Sequence, residues 1–425
     1  MELNSTLHGD RIHIAILGRR NVGKSSVINA ITGQDIAIVS DVKGTTTDPV
    51  SKAMEILPLG ACLLTDTPGL DDYGELGAKR VGKTLKVLDK TDIALVVADI
   101  SSLTCRDLNS RYGMAPDEEQ LVSLIEEKKL PYIIVLNQTD RLDLEKTEEI
   151  RGIIASKNPG IPVKLISTME KTGIEELKDA IALLVPEPSA KLDITGDLAS
   201  ENDIAVLVTP IDSSAPKGRL IMPQQQVIRD LLDNGAVAVV TQVPGLKGVL
   251  ERLGDSVKIV ITDSQAFKEV AALVPDDIPL TSFSILFARH KGNLKKLAEG
   301  AAAVDNLKDG DKVLIAEGCT HRRQCEDIGT VKIPRWLKEC SGKELVIETC
   351  SGSDFPQDLS GYALIIHCGG CTLTERVMKH RILCASGQGV PIVNYGIFIA
   401  YVNGILKRSV NMFPSVSKVF MDNKE

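Results

Sequence analysis

At 425 residues the chain exceeds one ordinary hydrophobic core, and two or three domains are expected. A hydrophobic content of 43% with 25% charged residues is that of a globular protein. A net charge of −8 and an aromatic content of 3% disfavour a nucleic-acid binder, which needs clustered Lys and Arg and stacking rings.

The first ten residues are polar and show no secretory signal. The most apolar late stretch, 390–406, is broken by Pro391, Asn394, Gly396, Asn403 and Gly404, so no membrane span is expected. A cytoplasmic, reducing compartment follows as an expectation. The 9 cysteines are odd in number and unevenly spaced, which argues against a disulfide framework and for metal binding or catalysis.

In chain order, apolar runs at 12–17, 62–65, 93–98, 132–136 and 163–166 read as buried strands of a parallel sheet. Helical patterns lie between them, at 117–128 and 174–184. This alternation predicts a doubly wound α/β domain over 1–187, closed by the linker Pro186-Glu-Pro188. A second series has strands at 204–208, 236–241 and 257–262 with helices at 224–233 and 264–273, giving a middle domain over 188–275. Pro275 and Pro279 punctuate the chain before a third series, 276–425. Its strands are expected at 312–316, 344–347, 362–366 and 391–393, with a helix at 373–385. The fold class is therefore α/β: three domains, an N-terminal doubly wound P-loop domain and two smaller parallel-sheet α/β domains.

The loop Gly18-Arg-Arg-Asn-Val-Gly23-Lys24-Ser25 follows a strand and opens a helix, as a phosphate-binding loop must. Glycines admit backbone amides to the phosphates, and the helix N-terminus adds positive potential. The expected contacts are Gly18, Asn21, Val22, Gly23, Lys24, Ser25 and Ser26. Lys24 would reach the terminal phosphates, and the Ser25 hydroxyl would bind Mg2+. Asp66-Thr-Pro-Gly69 ends an apolar strand, where Asp66 can hold Mg2+ through water and the Gly69 amide can sense the γ-phosphate. Thr46, in Gly44-Thr-Thr46-Thr-Asp48, can complete the Mg2+ shell. Lys24, Thr46, Asp66 and Gly69 are the candidate catalytic residues. Asn137-Gln-Thr-Asp140 follows the fourth of these runs; Asp140 can accept both the N1 and N2 protons of guanine, and Ser167-Thr168 can support the base.

Near the other end stand Cys319-Thr-His321 and His367-Cys368-Gly-Gly-Cys371. Both groups follow strands, and ligands collect beyond the carboxyl ends of strands in open α/β sheets. Three thiols and two imidazoles form a soft site, suited to zinc or to an iron–sulfur cluster; spacing alone does not choose. Cys62 reads as core, Cys105, Cys340, Cys350 and Cys384 as structural, and Cys325 as at most auxiliary. His290 and His380 read as surface groups.

The first 185 or so residues resemble the translation-factor-related GTPases, in the group of the tRNA-modification GTPase MnmE and Era. The resemblance implies GTP, Mg2+ and a potassium ion bound by Asn21 in place of an arginine finger, hence slow intrinsic hydrolysis. Leu70 stands where Ras-like proteins carry a water-orienting Gln, and Gln138 where this group carries Lys. With the Cys-x-His and His-Cys-x-x-Cys segments included, the whole chain is similar to the GTPase maturases of FeFe-hydrogenase, the HydF family. That resemblance implies a 4Fe–4S cluster on Cys319, Cys368 and Cys371, with His321 and His367 as possible fourth ligands. It further implies a scaffold that carries the di-iron precursor of the H-cluster. Radical-SAM maturases would supply components, apo FeFe-hydrogenase would receive them, and the chain would form a homodimer or a tetramer. The alternative is a zinc-stabilised regulatory GTPase acting on RNA or ribosomes.

Overall fold

The computed structural model describes residues 11–33, 50–56, 60–67, 82, 84–185, 193–210, 220–318, 327–352, 354–370 and 373–417. The chain divides into two compact units, Met1–Ser189 and Ala190–Glu425.

In the first unit, β1 (Ile12–Leu17), β2 (Val50–Ile56), β3 (Gly60–Asp66), β4 (Ile93–Asp99), β5 (Tyr132–Asn137) and β6 (Val163–Leu165) form one sheet in the order β2-β3-β1-β4-β5-β6. The inner strands are continuous apolar runs because helices cover both faces. β4, Ile-Ala-Leu-Val-Val-Ala-Asp, is buried in all but its last residue. Two apolar layers result, one holding Ile14, Ile16 and Val97, the other Ala15, Leu17 and Val96. β2 is the one antiparallel member, pairing Val50 with Asp66 through Ile56 with Gly60. Its polar alternation, with Lys52 and Glu55, explains why no buried-strand signal marks it. β1 lies between β3 and β4, and the crevice where strand order reverses opens at its carboxyl end, where the phosphate loop begins. The helix Pro116–Glu127 carries Pro at its start and Asp117, Glu118 and Glu119 in its first turn, which suits the helix dipole.

The second unit holds two four-stranded sheets. β7 (Ile204–Val208), β8 (Val237–Thr241), β9 (Val257–Thr262) and β10 (Leu280–Ser282) run in the order β10-β9-β7-β8. β11 (Lys312–Glu317), β12 (Val346–Ser351), β13 (Leu364–His367) and β14 (Ile392–Asn394) run β12-β11-β13-β14. All pairings in both are parallel. Leu280 pairs with Val260, so the middle sheet continues past the boundary expected at residues 275 and 276. The prolines at 275 and 279 only turn the chain into that last strand.

One continuous apolar core joins both sheets of this unit. The helix Leu294–Ala301 packs on β14, where a Cβ on Gly300 would stand 2.0 Å from the Ile392 carbonyl oxygen; only glycine allows that approach. The Arg408 guanidinium donates to the carbonyls of Ala271 and Val274, capping the end of the helix Phe267–Leu273. β12 begins at Val346 rather than 344 because its register with β11 starts at Lys312. The helix Glu375–Gly387 follows β13 and is capped by Thr374, whose hydroxyl accepts from the Val377 amide.

Candidate functional site

The phosphate loop is held open by backbone geometry. Gly18 has φ +148, and a Cβ there would meet the Val97 carbonyl oxygen at 2.2 Å. Asn21 also lies in the left-handed region, at φ 65. Val22 is buried, while Asn21 and Ser26 are exposed. The Lys24 ammonium donates to the carbonyls of Gly18 at 2.9 Å and Arg19 at 2.6 Å. The Ser25 hydroxyl donates to Asp66 Oδ2 at 2.9 Å, so the two residues expected around Mg2+ meet across β1 and β3. Asp66 Oδ1 is buried with no hydrogen-bond partner among the described residues, and burial pushes this carboxyl above its ordinary range despite Ser25 and Lys24. An orphaned buried carboxylate oxygen beside a serine hydroxyl fits a hard divalent cation.

The base-recognition loops are joined to the phosphate loop. Asn137 is fully buried; its Nδ2 donates to the Val22 carbonyl at 3.0 Å, and its Oδ1 accepts from the Thr168 amide at 3.3 Å. Ser167 Oγ donates to Asp140 Oδ1 at 2.6 Å, holding an exposed carboxylate in place. Gln138 sits in the left-handed region with φ 66, and its amide donates to the Asn21 carbonyl at 3.5 Å. Gly18, Asn21, Val22, Lys24, Ser25, Asp66, Asn137, Asp140, Ser167 and Thr168 thus gather at the carboxyl ends of β1, β3 and β5 and just after β6. Thr46 and Gly69 lie outside the described residues, as does Leu70.

One contact here has no sequence signal. Arg19 Nε donates to Glu118 Oε1 at 2.7 Å, although 99 positions separate them, and Glu118 is fully buried. The same Arg19 offers its carbonyl to Lys24, so Glu118 braces the loop through Arg19.

At the cysteine site, Cys368 follows β13 and its amide donates to the Ala316 carbonyl at 2.9 Å. Its sulfur accepts from the Gly318 amide at 2.9 Å and the Gly370 amide at 3.4 Å. Gly318 immediately precedes Cys319, and Gly370 immediately precedes Cys371. Both segments therefore converge on the Cys368 sulfur, and two amide donors favour a thiolate there. Cys319, His321, Cys371 and the auxiliary candidate Cys325 lie outside the described residues. Among the described residues no group of three His, Cys, Asp or Glu side chains could hold a metal.

His367 departs from its expected place. It is the last residue of β13 and fully buried, not part of the loop beyond. Its Nδ1–H donates to the Cys368 carbonyl at 2.7 Å, and its Nε2 accepts from Arg381 at 2.7 Å. Burial and the Arg381 charge hold its pKa down to about 3, so the ring is neutral and both nitrogens are engaged. In this arrangement the ring supports the loop through its two hydrogen bonds. His380 also differs from expectation: it is half-buried and lies within 3.4 Å of the Cys384 sulfur.

Residues 295–412 match the family model of the hydrogen maturase F tetramerization domain, and residues 194–292 match that of the hydrogen maturase F dimerization domain. The chain belongs to the hydrogen maturase F family. Ahead of these two domains, residues 13–138 match the model of 50S ribosome-binding GTPases. The dimerization model ends beyond β10, in agreement with the sheet that β10 joins.

The similarity of the chain to curated relatives centres on its N-terminal part. It is 40% identical over 176 residues to GTPase Der of Wolinella succinogenes, covering 40% of this chain and 35% of the relative. It is 31% identical over 175 residues to GTPase Era of Carboxydothermus hydrogenoformans, covering 41% and 55%. It is 28% identical over 230 residues to the tRNA modification GTPase MnmE of Acetivibrio thermocellus, covering 52% and 46%. The chain spans about half the length of such relatives or less. A crystal structure of Era from Aquifex aeolicus aligns with a TM-score of 0.35 at 19% identity, over 58% of this chain and 98% of that one.

Proposed function

We propose that the chain is a GTP-hydrolysing scaffold of hydrogenase maturation. It holds a 4Fe–4S cluster on Cys319, Cys368 and Cys371 and carries the di-iron precursor to apo FeFe-hydrogenase. The observation that carries this reading is the Gly318 amide on the Cys368 sulfur, within a domain of the hydrogen maturase F family. It brings the segment leading into Cys319 to the loop of Cys368 and Cys371. Three thiolates then leave one iron position for His321, solvent or cargo. His367 is not among the ligands, because both its nitrogens are engaged.

At the other site, the chain's own groups prepare for GTP and Mg2+. Asp66 and Ser25 would hold Mg2+, which when bound neutralises phosphate charge. Lys24 would exchange its two loop carbonyls for phosphate oxygens. Asp140, fixed by Ser167, selects guanine, and Asn137 ties that selection to the phosphate loop. Asn21 would bind potassium, and in the absence of an arginine finger hydrolysis is slow. Thr46 and Gly69 would complete the Mg2+ shell and the γ-phosphate sensor.

The chain would assemble as a homodimer through its middle domain, with the C-terminal domain joining dimers into a tetramer, and would work in the cytoplasm with radical-SAM maturases. No helix among the described residues is long and apolar enough to cross a membrane. The deciding experiment is anaerobic reconstitution followed by iron and sulfide analysis and EPR. A reducible cluster in the wild type, lost in C368A with GTP hydrolysis intact, supports the reading. Stoichiometric zinc and no reducible cluster would defeat it and favour a zinc-stabilised GTPase acting on ribosomes or RNA.

A further inference from the structure

Arg381 lies on the helix Glu375–Gly387, 3% exposed, directly behind the cysteine loop. Buried guanidinium groups are ordinarily paired with a carboxylate. Here every partner among the described residues is neutral. One terminal nitrogen donates to His367 Nε2 at 2.7 Å, the other to the Gly352 carbonyl, and the guanidinium stacks 4.8 Å from the Phe355 ring centroid. No carboxylate among the described residues pairs with it. Cys350 and His367 flank Ala316 on adjacent strands, so the row Cys350–Ala316–His367 crosses the sheet one step before the cysteine loop. The contacts then continue toward the ligand: Arg381 to His367 Nε2, and His367 Nδ1–H to the Cys368 carbonyl.

We propose that Arg381 is the built-in counter-charge of the cysteine site, a positioning residue that sets the reduction potential of a cluster held by Cys368. The inference rests on the cluster reading above. A fixed cation behind a thiolate-bound cluster stabilises the more negative, reduced state and so raises its potential. The same residue fixes the His367 tautomer, and with it the carbonyl of the ligand residue. A second buried cation, Lys291, donates to the Leu373 carbonyl at 3.3 Å, at the far end of the same loop.

The test is an EPR-monitored redox titration of the reconstituted full-length chain as wild type, R381K, R381Q and R381M. The Lys variant keeps the charge and is expected to stay near the wild-type potential. The two neutral variants are expected to shift to more negative potential and to lose iron to a chelator faster. Met fills the space without a buried polar group, so it decides the matter if the Gln variant fails to fold. A folded neutral variant that loses the cluster while R381K keeps it also supports the proposal. A fully loaded neutral variant at the wild-type potential overturns it and leaves Arg381 a merely structural group. If the wild type itself holds no cluster, the scaffold reading fails first, a result distinguishable by its iron and sulfide content.

Discussion

The Gly318 amide donates to the Cys368 sulfur at 2.9 Å, joining residues 50 positions apart at the ends of β11 and β13. The two strands are adjacent, with Ala316 beside His367, so the sheet order itself creates the contact. A Cβ on Gly318 would stand 2.9 Å from Leu373 Cγ and 3.4 Å from the Cys368 sulfur. G318A should therefore strain the loop by about 1–3 kcal/mol and lower cluster content. Iron and sulfide analysis of the reconstituted variant checks this, with GTP hydrolysis unchanged.

Asp66 and Ser25 meet at 2.9 Å, with one carboxylate oxygen unpartnered among the described residues. D66N keeps the shape but removes the charge that Mg2+ needs. GTP hydrolysis should fall on the order of 10²-fold, and the Mg2+ concentration for half-activation should rise. Steady-state phosphate release at varied Mg2+ measures both.

Asp140, held by Ser167 at 2.6 Å, is the proposed acceptor for both guanine protons. An amide at this position cannot accept both. D140N should raise KM for GTP by about 10²-fold and let XTP compete, because xanthine offers an acceptor where guanine offers a donor. Competition with fluorescent GTP gives the ratio directly.

Glu118 supplies the pH prediction. Burial pushes its carboxyl above the ordinary 4.5, although the Arg19 hydrogen bond and charge pull the other way. A group that holds its proton more tightly when folded contributes most with the proton on. Stability from this group should thus fall as pH rises from about 4.5 through the raised value, and level off above it. Denaturant titrations of wild type and E118Q across the acid-to-neutral range should show that slope only in the wild type. A slope of opposite sign would mean that the Arg19 attraction outweighs burial. E118Q should also weaken GTP binding, because Arg19 loses its brace.

β8 is an edge strand with Val237 46% and Val240 44% exposed. An edge that is open among the described residues and carries exposed valines is a ready template for a second strand. V240K is expected to shift the assembly toward monomer, as read by light scattering, without loss of helical or strand signal in circular dichroism. An unchanged assembly would place the interface elsewhere in the middle domain.

Much of this molecule is local chemistry. The apolar runs that become β1, β4, β5, β7, β9, β11 and β13 are recognisable because parallel strands are buried on both faces. The phosphate loop is recognisable because its glycines and Lys24 act within eight consecutive residues. The Cys368-Gly-Gly-Cys371 segment likewise carries its own meaning. β2 and β10 escaped such reading for physical reasons. One is a half-exposed edge strand with polar alternation, and the other is three residues long behind two prolines.

The residues that brace the sites are another matter. Nothing in the string distinguishes Glu118 or Arg381 from the many charged residues of helix surfaces, because burial of a charge is decided by what packs over it from distant parts of the chain. The same holds for His367: its residue type and spacing suggest a ligand, but the strand end buries it and Arg381 takes its second nitrogen. Which groups could do chemistry is written in residue type and short spacing, because reactivity is local. Which of them meet, and in which protonation state, follows from folding, because distance and desolvation arise from how the strands and helices pack.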